Sequence, residues 1–185
     1  MSKIFARIVF LPSLVWDISY QLIHRLNWWD VIEPGIILGS VPFSADVKRL
    51  HALGVRSVVN TCEEFNGPIS EYENFGIDQL RIPIIDFSEP SRNQIRAGVE
   101  YINRKRAKGS VYVHCKSGRG RSATILLCWL IQTRNLSPEA AQQRLQARRR
   151  QVLPNLFSRK SVCQYWREIG DNDDHTVLEL SLIHI

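Results

Sequence analysis

Between residues 30 and 170 the apolar positions switch repeatedly between a two-residue and a helical period. "VIEPGIILGSVP" places two short apolar runs on either side of Pro34-Gly35 and predicts strand, turn and strand. Residues 44 to 53, "SADVKRLHAL", predict a helix with Ser44 as N-cap and Gly54 as its stop. "VRSVVNT" is a β-branched strand. "EEFNGPISEYENFG" reads as a polar connection, and "IDQLRIPII" as a strand that runs out into Asp86 and the loop "FSEPSR". Residues 93 to 108 carry Ile95, Val99, Ile102 and Arg106 at helical spacing, and Gly109 ends that helix. "SVYVH" is a short strand. "RSATILLCWLIQT" is nearly all apolar after its first residues and predicts a buried helix. "SPEAAQQRLQARRR" opens on Ser137 as N-cap with Pro138 at the first helical position, and a last helix covers about residues 158 to 169.

Strands alternating with helices predict an α/β domain. The 185 residues, 44% of them apolar, are enough for one domain with a real core. No internal repeat or linker divides it. The boundaries read as residues 1–27, an amphipathic or targeting segment; 28–170, the domain; and 171–185, a C-terminal tail. The first segment has Lys3 and Arg7, no acid before Asp17, and an apolar run from Ile8 to Trp16 too short to span a bilayer. It fits a presequence, a helix lying on a membrane surface, or a first helix packed on the domain.

Charge narrows the partners. Lys and Arg number 24 against 18 acids, a formal net charge of +6, which favours phosphorylated substrates or an acidic membrane face. The four cysteines, 62, 115, 128 and 163, have no CxxC pair, so neither a zinc site nor a disulfide framework is expected.

One loop concentrates the chemistry. "VYVHCKSGRGRSAT" ends a strand at His114 and Cys115, sets Lys116, Ser117, Gly118, Arg119 and Gly120 in a turn, and starts a helix at Arg121. In a strand, glycine loop and helix of this kind, loop N–H groups converge on one point and the helix N-terminus adds positive potential. The three equatorial oxygens of a transferring phosphoryl group fit that cradle, and Arg121 closes it with a bidentate fork. The same field lowers the thiol pKa and makes Cys115 a nucleophile. His114 fixes the loop, and Ser122 can donate to the departing sulfur. A buried structural cysteine would not sit among three cations. A nucleotide loop would need GxxxxGK[ST], which is absent. A redox cysteine resolved by Cys62 or Cys128 is a poorer account, as is a phosphate-binding module without turnover.

H-C-x-x-G-x-x-R-S, here His114 to Ser122, resembles the signature of the cysteine-dependent protein-tyrosine and dual-specificity phosphatases. "ARIVFLPSLVWDI", "WWDVIEPGIILGSVP", "NTCEEF", "HCKSGRGRSAT" and "LIQTRNLSPEAAQQRL" together resemble the phosphatidylglycerophosphate phosphatases of the mitochondrial protein-tyrosine-phosphatase type, over roughly residues 5 to 170. The resemblance implies a compact dual-specificity fold, a central, mostly parallel five-stranded sheet flanked by helices.

An alcohol leaving group needs a proton as it departs. Asp86, at the end of a strand and the start of a flexible loop, suits the family's general acid. Glu89 is the alternative, and Asp78 lies too early in its strand. Cys115 then attacks phosphorus, and Asp86 later activates water against the cysteinyl phosphate, with no metal or cofactor. Lys116 and Arg119 are extra cations that favour a substrate with a second anionic group, a phosphorylated lipid such as phosphatidylglycerophosphate or a phosphoinositide. Phosphoproteins are the alternative substrates. Glu63 and Glu64 resemble an "EE" loop of the lipid-acting family and are candidates to line the entrance, with plain surface solvation as the alternative. Arg148 to Arg150 are candidates to face acidic lipid. A monomer is expected, with no nucleic-acid partner. It would be peripheral to a membrane, the mitochondrial inner membrane or the cytoplasmic face of a bacterial inner membrane, with a cytoplasmic location as the alternative. Pro90 and "QVLPNLFSRK" depart from the family pattern.

Overall fold

The computed structural model describes residues 10–24 and 26–170. Five strands form one sheet: β1 (Trp29–Glu33), β2 (Ile36–Gly39), β3 (Val55–Cys62), β4 (Asp78–Ile84) and β5 (Ser110–His114). Their order is β1-β2-β5-β3-β4. Only the β1–β2 pair, joined across Pro34-Gly35, is antiparallel; β2, β5, β3 and β4 run parallel. The expected mostly parallel five-stranded sheet is therefore present. Central strand β5 is apolar on both faces, as a doubly covered strand must be. Its last residue, His114, pairs with Gly39 of β2 and Asn60 of β3, so three strands deliver their C-terminal ends to one edge. Ligands of open α/β sheets bind at that edge.

Helices cover both faces. On one, α4 (Arg92–Lys105), α5 (Arg121–Arg134) and α6 (Pro138–Arg148) pack with Ile82, Val99, Val113, Leu126 and Trp129 in the larger core. Helix α5 is buried from Arg121 through Ile131, as its apolar sequence predicts. On the other face, α2 (Ser44–Ala52) and α3 (Ile69–Asn74) enclose Val47, Leu50, Val58, Tyr72 and Tyr112. A last helix occupies residues 160–170.

Two local expectations need correction. Ser44 is the first helical residue, not the cap. Phe43 holds the N-cap position, and its N–H donates to the Asp46 carboxylate at 3.0 Å, so the acid in the first turn does the capping. The connection 63–76 is not entirely irregular but contains α3. That helix spans six residues and buries a single side chain, Tyr72, so it leaves no periodic trace.

The N-terminal helix α1 (Phe10–Ile23) packs on the sheet edge. Leu14 joins Val41, Cys62 and Cys115 in a third apolar cluster, with Phe10 and Ile18 against it. Residues 1–9 and 171–185, where the presequence reading of Lys3 and Arg7 and the reading of a C-terminal tail fall, lie outside the described residues.

Candidate active site

The loop between β5 and α5 is held from outside by its carbonyl oxygens. The His114 carbonyl accepts from Thr61 Oγ1 at 2.9 Å, and that of Lys116 from the Val41 N–H at 3.1 Å. Those of Ser117 and Gly118 accept from the Arg149 guanidinium at 3.0 and 3.1 Å. Those of Arg119 and Gly120 accept from the N–H groups of Leu153 and Thr124 at 3.0 and 2.9 Å. In a trans peptide the C=O and N–H point opposite ways, so anchoring carbonyls outward turns amides inward. Gly118 has φ +64, and a side chain there would run into the Gly39 carbonyl. That close approach explains the glycine at this position.

Cys115 lies at the floor of the cradle, buried, with the Gly118 N–H donating to its Sγ at 3.2 Å. Burial alone would push its thiol up. The Arg121 charge, the hydroxyl and N–H of Ser122 and the N–H of Gly118 outweigh that and hold it below the ordinary thiol range. The buried Ser122 hydroxyl closes no regular hydrogen bond, and its effect on the sulfur is one of proximity. Burial drives His114 the other way, down to about 3, so its ring is neutral, with Nδ1 facing the Cys115 carbonyl at 3.3 Å. Cys62 is buried in the cluster that also holds Cys115, and burial pushes its thiol well up. Cys128 is buried inside α5.

Arg121 is gripped by Glu64, whose two carboxylate oxygens each accept from the guanidinium at 2.8 Å, and it also donates to the Ile84 carbonyl at 2.9 Å. Asp86 Oδ1 pairs with Arg121 at 3.0 Å, and Oδ2 pairs with Lys116. The candidate acid and the candidate phosphate-binding arginine thus share one ion-pair cluster. The next residue, Phe87, has φ 61, a left-handed conformation costly for an aromatic side chain. Its ring is exposed, with Lys116 Nζ 5.3 Å from the ring centroid. Glu89 accepts from Ser161 at 3.0 Å, and Asp78 pairs with Lys105 on a different part of the surface.

These groups line a cavity of about 410 Å³. The anion loop supplies Cys115, Lys116, Ser117, Arg119, Gly120 and Arg121; the acid loop supplies Asp86, Phe87 and Ser88. Two further contributions come from outside these loops. Helix α1 adds Ser13, Trp16 and Asp17, and Ser13 Oγ accepts from Lys116 Nζ at 2.9 Å. The segment 151–159, which departs from the family pattern, adds Leu153 and Arg159. Arg149, expected to face acidic lipid, is buried behind the loop and pairs with Asp30 at 2.7 Å; its neighbours Arg148 and Arg150 are exposed. Among the described residues, no group of three or more metal-ligating side chains is present.

Comparison with known proteins agrees with this geometry. Residues 36–168 match the family model of the dual specificity phosphatase catalytic domain. The chain is 40% identical over 166 residues to phosphatidylglycerophosphate phosphatase PTPMT1 of Arabidopsis thaliana, covering 87% of this chain but 49% of that protein. It therefore spans about half the length of that relative. Identity to PTPMT2 of the same plant is 36%, over 87% of this chain and 73% of the relative. The crystal structure of PTPMT1 in complex with PI(5)P superposes with a TM-score of 0.70 at 28% identity, covering 80% of this chain and 99% of that one. A cysteine at the floor of an amide cradle, an arginine fork and a loop aspartate on this fold lead to one assignment: the chain belongs to the dual specificity phosphatase family.

Proposed function

We propose that the protein is a cysteine-dependent phosphomonoesterase whose substrate is phosphatidylglycerophosphate, with phosphatidylglycerol and inorganic phosphate as products. The observation that carries the reaction is the placing of Cys115 Sγ, which accepts from the Gly118 N–H at 3.2 Å, at the floor of a loop whose carbonyls at residues 116 to 120 are all held by outside donors. Phosphate enters with its equatorial oxygens on the loop amides and on Arg121, which Glu64 has already oriented. The Cys115 sulfur attacks phosphorus and the alkoxide leaves with a proton from Asp86. Asp86 then takes a proton from water as that water attacks the cysteinyl phosphate, and the thiolate is restored. Incoming phosphate competes with Asp86 for Arg121, which frees the carboxyl to turn toward the leaving oxygen. No cofactor enters the scheme.

The substrate assignment rests on the similarity to two proteins named for action on phosphatidylglycerophosphate. The cavity supports it. Arg119 and Arg159 reach the wall beside Arg121 and suit a second anionic group, while Lys116 is engaged by Asp86 and Ser13. A peripheral position on an anionic bilayer is supported by α1. Its outer face exposes Leu11, Val15, Trp16, Leu22 and Ile23, and Trp16 and exposed Phe87 flank the cavity mouth. The chain's net charge of +6 has the complementary sign, and among the described residues no helix is long and apolar enough to cross a membrane.

The test is phosphate release from phosphatidylglycerophosphate in vesicles, from a phosphoinositide monophosphate and from a phosphotyrosine peptide, by wild type and Cys115→Ser. Lipid turnover that vanishes in the variant supports the proposal. Turnover of the peptide alone would favour a protein substrate.

A further inference from the structure

Helix α1 turns a different face inward from the one it shows to solvent. Ser13, Asp17 and Tyr20 recur at helical spacing on the inner side. Ser13 meets Lys116, and the Arg119 guanidinium lies 5.5 Å from the Tyr20 ring centroid. Asp17 stands between them at the cavity wall. The other carboxylates of the site are spoken for: Glu64 grips Arg121, and Asp86 pairs with Arg121 and Lys116. Asp17 accepts no hydrogen bond and forms no ion pair among the described residues, although it is more than half buried.

A half-buried carboxylate in an anion-binding cavity calls for an explanation. It repels the dianion the cavity exists to hold, and burial raises its pKa against the opposing pull of Lys116 and Arg119, neither of which hydrogen-bonds it. A hydrogen-bond donor brought by the ligand would offset both. The phosphoryl group of a dianionic monoester has no such donor, and neither has a thiolate. The donors of this substrate class lie on the alcohol side, as hydroxyls near the phosphorylated carbon.

We propose that Asp17 is a specificity-determining residue that accepts a hydrogen bond from a free hydroxyl of the leaving alcohol, so that α1 selects polyol monophosphates over plain alkyl ones. This rests on the phosphomonoesterase reading of the cavity. It gives the inner face of α1 a role distinct from the apolar outer face.

The experiment compares kcat/KM for glycerol 1-phosphate and propyl phosphate, two soluble substrates with the same phosphoryl group, in wild type, Asp17→Ala and Asp17→Asn. Dividing the variant's preference for glycerol phosphate by the wild-type preference removes the intrinsic difference between the two alcohols. That ratio should fall roughly tenfold to a hundredfold in Asp17→Ala, the range of a hydrogen bond to a charged acceptor. In Asp17→Asn, whose carbonyl oxygen still accepts, it should fall less. Turnover of propyl phosphate, which offers Asp17 no hydroxyl, should not fall in step, since either variant also removes the carboxylate's repulsion of the dianion. Equal losses on both substrates, or an unchanged ratio while activity still depends on Cys115, would overturn the role of Asp17 alone. Wild-type activity that persists in Cys115→Ser would overturn the phosphatase reading, and this inference with it.

Discussion

The Nε of Arg149 donates to the Gly118 carbonyl at 3.1 Å, so a buried cation behind the anion loop fixes the direction in which the loop amides point. The same guanidinium reaches the Ser117 carbonyl, Asp30 and the Asn27 carbonyl, tying the cradle to strand β1. Burial disfavours its charge and the Asp30 carboxylate supports it.

Arg149→Leu should therefore cost both stability and catalysis. Removing one member of a buried pair leaves Asp30 without its cation and the Ser117 and Gly118 carbonyls without their donor, a loss of roughly 3–5 kcal/mol by urea unfolding. At temperatures where the variant stays folded, inhibition by inorganic phosphate or vanadate should weaken, because the amides lose their common aim. Unchanged inhibitor affinity would separate Arg149 from the cradle.

Glu64→Gln tests the grip on Arg121. The carboxamide keeps one acceptor oxygen and loses the bidentate charge pair. We expect kcat/KM to fall roughly tenfold to a hundredfold through misplacement of the fork. Equal activity would mean that phosphate alone orients Arg121.

The pH dependence has a definite sign. In the proposed reaction Cys115 attacks as the thiolate, and the folded site holds its pKa below the ordinary thiol range. The rise of kcat/KM with pH should thus be complete before about pH 8.5, the region of an unperturbed thiol. Ser122→Ala removes one source of the lowering and should move that rising limb to higher pH. A limb that stays in place would remove Ser122 from the thiolate's support.

His114 predicts an acid sensitivity unrelated to turnover. Its folded pKa, about 3, lies below the unfolded value near 6.5, so between these limits the unfolded chain binds the extra proton. Its contribution to stability is full above about pH 6.5 and is lost as pH falls toward 3, by roughly 5 kcal/mol at most. Urea midpoints at pH 7 and pH 4.5 should differ less in His114→Asn than in wild type. An identical difference would contradict the assignment.

Much of this was legible in the sequence because it is written locally. The signature His114 to Ser122 occupies consecutive residues, and the strands and long helices carry their own periodicity and punctuation. The remainder is tertiary. Glu64 could be placed near the entrance by resemblance, but its bond to Arg121 spans 57 positions and depends on β3 lying beside β5. Arg149 sits in a run of three arginines, and only the packing of α6 decides which one is buried. Asp17 lies in a stretch that resembles the family and Arg159 in one that departs from it, but nothing local assigns either to the cavity. They reach the cavity because α1 and the segment after α6 fold back over it.

The most direct test of the central claim is to catch the intermediate. Wild type and Asp86→Ala are mixed with phosphatidylglycerophosphate labelled in its terminal phosphate, quenched in acid within milliseconds to seconds, and digested for mass spectrometry. The account predicts phosphate on the peptide containing Cys115, more persistent in Asp86→Ala because water is no longer activated, and none in Cys115→Ser. Label on another residue, or phosphate release from the lipid in Cys115→Ser, would contradict it.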